Sequence, residues 1–75
     1  MRNEEATSVI DTSRAGMRCR LKKTIRAHEA TLEADSQGTI IHEIENVGRR
    51  MALVDWDGDS SVYVFLDEIE IEEHR

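Results

Sequence analysis

The sequence contains no proline, one cysteine and three aromatic residues among its 75 positions. Without proline, no stretch is barred from a sheet interior by a missing backbone donor. The lone Cys19 cannot form an intrachain disulfide, which is compatible with a reducing cytoplasm. Trp56, Tyr63 and Phe65 are the whole aromatic complement, too few to line a groove for polyproline ligands. No apolar run is long enough for a signal-peptide core or a membrane span, so the expectation is a soluble, unexported, cytoplasmic protein with no membrane partner. Basic charge is also scarce. Ten Lys and Arg against sixteen Asp and Glu give a net charge of −6, which works against general attraction to nucleic acid or anionic lipid.

What is present is alternation. Short two-period runs occupy Met17 to Leu21, Gly38 to Ile41, Met51 to Trp56, Ser61 to Phe65 and Ile69 to Glu72. Turn signals at Gly38, Asn46 to Gly48 and Asp57-Gly58 separate them, a pattern that predicts a small all-β antiparallel barrel of five strands. In the first run Met17, Cys19 and Leu21 share one side and Arg18, Arg20 and Lys22 the other. The second strand continues through His42 to Ile44. In the third, Ala52, Val54 and Trp56 oppose Met51, Leu53 and Asp55; in the fourth, Val62 and Val64 oppose Tyr63 and Phe65. Ile69 and Ile71 point inward from the last, with Glu68, Glu70 and Glu72 outward. A core this small seldom supplies more than about 3–5 kcal/mol, so marginal stability or self-association is expected.

Residues 1–15 are polar and aperiodic apart from Val9-Ile10, and are read as a flexible, disordered tail, leaving 16–75 as the barrel domain. Ordering such a segment costs about 1–2 kcal/mol of backbone entropy per residue, which two aliphatic side chains hardly offset. Between Lys23 and Gln37 the pattern loosens, and a long loop with an irregular hairpin is favoured over a short helix around Glu29 to Ala34.

The order of a strand after Gly16, a long loop, Gly38-Thr39-Ile40-Ile41, a hairpin on Asp57-Gly58 and a closing Phe65-Leu66-Asp67-Glu68-Ile69-Glu70 resembles the SH3-like small barrels. It is most similar to stand-alone accessory proteins of that kind, such as the small barrel subunit of photosystem I and the variable chain of ferredoxin-thioredoxin reductase. The resemblance spans roughly Gly16 to Glu72. It implies a subunit without catalytic residues that binds a larger protein and shapes its docking surface.

Charge falls in blocks. Arg14 to Arg26 holds six cations and no acid, whereas the stretch from Met51 onward holds eight acids against Arg75. One reading makes the first block a phosphate-binding stripe for nucleic acid, from Arg18, Arg20, Lys22 and Lys23, helped by Arg49 and Arg50. The favoured reading pairs the first strand with the last, so that Arg18, Arg20 and Lys22 face Glu68, Glu70 and Glu72 across the ladder, each pair contributing about 0.2–1 kcal/mol.

Metal and catalytic chemistry find no pattern. Asp55, Asp57 and Asp59 alternate as in a calcium loop, but Ser60 stands where that loop needs glycine and Leu66 where it needs glutamate. Cys19, His28, His42 and His74 lack the close pairs of structural zinc sites. Cys19, inward between Met17 and Leu21, reads as a small core hydrophobe. With no phosphate loop, nucleophile elbow or room for a buried substrate, neither enzyme activity nor a cofactor is expected.

One feature is left over. If Ala52, Val54, Trp56, Val62 and Val64 form the core, then Met51, Leu53, Tyr63 and Phe65 form an outward apolar patch. The alternatives are that the tail or long loop covers it, or that one strand is inverted by a residue. The sequence therefore points to a non-catalytic interaction or accessory module that uses this patch, with an acidic margin, to bind a larger protein or its own copy.

Overall fold

A computed structural model describes residues 9–26, 31–58 and 60–72. The strands are β1 (Val9–Asp11), β2 (Arg18–Leu21), β3 (Ile25–Arg26), β4 (Thr31–Leu32), β5 (Gln37–Asn46), β6 (Arg49–Trp56), β7 (Ser61–Phe65) and β8 (Ile69–Glu72). A single 3₁₀ turn, Leu66–Glu68, joins the last two. The fold is all-β and antiparallel. No helix among the described residues is long and apolar enough to cross a membrane.

The main sheet runs β7-β6-β5-β2-β8, with β1 beside the second half of β5. The five alternating runs thus become β2, β5, β6, β7 and β8. Among the described residues no pairing joins β7 to β8, so the pairings described do not by themselves close the expected five-stranded barrel. The inward sides of its strands nevertheless meet in one core of Cys19, Leu21, Leu32, Ile40, Ala52, Val54, Trp56, Val64 and Ile69. Ile25, Val62, Leu66 and Ile71 pack around it. Fully burying each Leu, Ile or Val contributes about 1.5–3 kcal/mol.

Gly38 is the tightest point of this packing. It lies opposite both Cys19 and Trp56, and a methyl group there would come within 2.6 Å of Val54 Cγ1 and 2.8 Å of the Asp55 carbonyl oxygen. Only glycine lets β5 pass so close to β6.

The tail expectation is corrected for its described part. Val9, Ile10 and Asp11 pair with Glu45, Ile44 and Glu43 as a sheet strand; residues 1–8 lie outside the described residues. Backbone pairing to β5 is reinforced by Arg50, which bonds Asp11, and Ser13, whose N–H donates to Asp11 Oδ1 at 2.8 Å. The long loop contains the small hairpin β3–β4, with Ile25 opposite Leu32. Leu32 reaches the core, and the backbone exchanges bonds between Leu21 and residues Asp35 and Ser36, each 2.8 Å. Residues 27–30, which include His28 and the first two positions of the possible short helix, lie outside the described residues; its remaining positions are not helical, Thr31–Leu32 forming β4.

β5 is longer than expected and irregular. Ile40 pairs with Val54 but His42 pairs with Leu53, leaving Ile41 as a bulge. A bulge shifts the alternation by one residue. Beyond it Glu43, opposite Ala52, faces inward, while His42 and Ile44, opposite Leu53 and Met51, face outward. The β5–β6 hairpin closes on the two-residue loop Val47-Gly48, with φ of 52° and 76°. Two positive φ values match the twist-compatible turn that favours Asn-Gly.

Candidate interaction surface

The register of the β6–β7 hairpin sets the outer face. Met51 lies opposite Phe65 and Leu53 opposite Tyr63, and the alternating Ala52–Val64 and Val54–Val62 pairs point the other way. Across β6, Ile44 lies opposite Met51 and His42 opposite Leu53. β1 adds Ile10 opposite Ile44. Two rows result: Ile10, Ile44, Met51 and Phe65 across four strands, and His42, Leu53 and Tyr63 across three.

All four patch residues of the sequence reading therefore share one face. Ile44 and Ile10 extend it, and sequence reasoning missed both because it had neither the bulge nor β1. Adjacent apolar residues Ile40-Ile41 were the local mark of a bulge, since strict alternation breaks there. Ile10 is 63% and Tyr63 41% exposed, while Ile44, Met51, Leu53 and Phe65 are half-buried.

Polar groups frame the rows. The Arg49 guanidinium sits 4.1 Å from the centre of the Phe65 ring, a cation–π contact of about 0.5–1 kcal/mol at an exposed site. His42 Nε2 and the Tyr63 hydroxyl share a hydrogen bond of 3.0 Å. Asp55, exposed and opposite Ser61, marks one end of β7. Exposed Asp67 follows the other.

The basic residues are not gathered into one stripe. Arg18 and Arg20 stand opposite Glu72 and Glu70 in the β2–β8 ladder. Arg20 bonds Glu70, whereas Arg18 reaches across to Asp57 and to Thr39 Oγ1 at 2.8 Å. These bonds hold the Asp57 and Glu70 carboxyls below their ordinary range. Lys22 and Lys23 are exposed, with the Lys22 N–H donating to the Glu68 carbonyl at 2.8 Å. Arg49 lies on Phe65, and Arg50 faces the opposite side of the sheet.

On that inner side is a cluster that the sequence did not disclose. Glu43 is 1% exposed. Its carboxylate accepts from Arg14 Nε at 2.7 Å, Arg14 Nη2 at 2.9 Å and Arg50 Nε at 3.3 Å. Arg50 also bonds Asp11 and, at 3.3 Å, Glu45. A buried carboxylate persists only when paired and hydrogen-bonded, and this one ties the turn after β1 to β5 and β6.

Of the residues weighed for metals, Asp57 is bound by Arg18, and Asp59, His28 and His74 lie outside the described residues. Among the described residues no group of three or more His, Cys, Asp or Glu is arranged to hold a metal ion. Cys19 is buried, and loss of solvent pushes its thiol up to about 11. No family model matches the chain, and comparison with curated proteins and with solved structures returned no match.

Proposed function

We propose that the chain is an SH3-like small barrel serving as a non-catalytic interaction or accessory module in the cytoplasm. Its binding face is the apolar patch of Met51, Leu53, Tyr63 and Phe65, bounded by Asp55 and Asp67. The observation that carries the reading is the pairing of Met51 with Phe65 and Leu53 with Tyr63 on the side of the sheet away from the core. Contiguous apolar patches left accessible at a surface mark interaction sites. The SH3-like architecture is supported by the neighbouring of β2 and β8, the first and last of the five expected strands, and by the long excursion between β2 and β5. A nucleic-acid interface has less support, because Arg18, Arg20 and Arg50 are committed to carboxylates.

The test is Leu53→Glu, which places a charge in the middle of the face without touching the core. The expected result is an unchanged circular-dichroism spectrum and melting profile with loss of the partner that the parent chain retains on affinity capture. A partner retained equally by both chains overturns the reading.

A further inference from the structure

Edge strands in soluble proteins are usually protected by lysine, proline, a bulge or a covering segment, because their open backbone groups invite another strand. Among the described residues β7 has none of these apart from the Glu68 side chain at its last residue. Ser61-Val62-Tyr63-Val64-Phe65 carries no charge and no proline, it pairs in register along its length with β6, and among the described residues only β6 pairs with it. The orientation of its open groups follows from one bond. The Phe65 N–H donates to Glu68 Oε1 at 2.9 Å, so it points away from β6. In an antiparallel ladder alternate residues point their backbone groups the same way, which directs the N–H and C=O of Tyr63 and Ser61 to the open edge as well. The fold thus closes the last of these donors with its own carboxylate, and among the described residues no strand pairs with the others.

Side chains beside that edge define what fits. Tyr63 and Phe65 stand on the outer face at the end of the two apolar rows, and exposed Asp55 and Asp67 lie at the two ends of the strand. From this geometry we infer that β7 captures an extended peptide segment of a partner protein by strand addition. The segment places alternate apolar side chains beside Tyr63 and Phe65 and carries Lys or Arg at both flanks. A second copy of this chain is a poorer occupant: an antiparallel β7–β7 pairing brings Asp55 of one copy towards Asp67 of the other and sets net charges of −6 against each other. This proposal rests on the interaction-module reading and specifies its partner. It also uses a standard physical division of labour, with main-chain bonds for affinity and alternate side chains for selection.

The probe is a synthetic peptide of alternating valine and threonine flanked by paired lysines, titrated into isotopically labelled full chain. Saturable binding with slowed amide exchange at Tyr63 and Ser61 is expected. Replacing the lysines by glutamates, or methylating alternate backbone nitrogens of the peptide, is expected to weaken binding by about tenfold or more. Equal binding of the methylated peptide overturns strand addition, as does absence of binding at millimolar peptide. Concentration-dependent protection of Tyr63 without peptide overturns the choice of occupant in favour of a second copy. If Leu53→Glu still abolishes partner capture while the peptide results fail, the edge proposal falls and the patch stands. If Leu53→Glu has no effect, the patch reading falls with it.

Discussion

Arg14 reaches back from the turn after β1 to grip both carboxylate oxygens of Glu43, at 2.7 and 2.9 Å, although the two residues are 29 positions apart in sequence. The planar guanidinium matches the carboxylate as a fork, a geometry lysine cannot reproduce. Arg14→Met leaves Glu43 buried with the longer Arg50 contact. It is expected to destabilise the fold by about 3 kcal/mol, with Arg14→Lys recovering little of this. Urea unfolding measures it, and a loss below about 0.5 kcal/mol for Arg14→Met, the range of ordinary surface substitutions, contradicts the assignment.

Val47 is the opposite case, a residue that strains the fold. It is β-branched, 92% exposed and held at φ 52°, a conformation costing an L-residue with a β-carbon about 1–2 kcal/mol. Val47→Asn, followed by the existing Gly48, supplies the preferred loop pair. The expected gain is about 1 kcal/mol, seen as a higher melting temperature. A melting temperature at or below that of the parent chain refutes it.

Acid sensitivity has a defined sign. Hydrogen bonding to Arg18 lowers the Asp57 carboxyl, and hydrogen bonding to Arg20 lowers that of Glu70. A depressed folded value means that each group's stabilisation is present above its unfolded value, near pH 4, and is lost as pH falls through the folded value. Melting temperature is therefore expected to decline below about pH 4. In Glu70→Gln that decline is shallower, and an identical profile in the variant contradicts the assignment. Both pairs are exposed, so their effect at neutral pH is small and screened by salt.

Cys19 is fully enclosed between Gly38 and Ile71, and burial raises its thiol to about 11. At pH 8 an aromatic disulfide reagent is expected to react with the folded chain only at the rate of global opening, and rapidly once urea unfolds it. Fast labelling of the folded chain shows the site to be open.

The parts of this fold that could be read from sequence are those where alternation is unbroken. Cys19 and Leu21 inward, Arg18 and Arg20 outward, and the two faces of β6 and β7 all follow from the period of two. The Arg20–Glu70 ladder pair was legible for the same reason. Glu43 was not, because its burial depends on a bulge upstream and on an arginine from a segment whose composition resembles a tail. β1 was illegible because it is only three residues long and joins the sheet by backbone pairing and the Arg50–Asp11 bond, with Ile10 63% exposed. The open edge of β7 depends on which strands fail to meet, a property of the whole sheet that no local pattern carries.

Ile41 acts as a phase shifter. In an uninterrupted β5, Ile44 would turn into the interior and Glu43 into solvent, the cheaper outcome for each side chain taken alone. One unpaired residue reverses both. The surplus link in the strand therefore creates, in a single step, an ionic clasp on the concealed side and a hydrophobic row on the displayed side. The adhesive surface and the fastening of the amino-terminal strand are two outcomes of the same half-period slip.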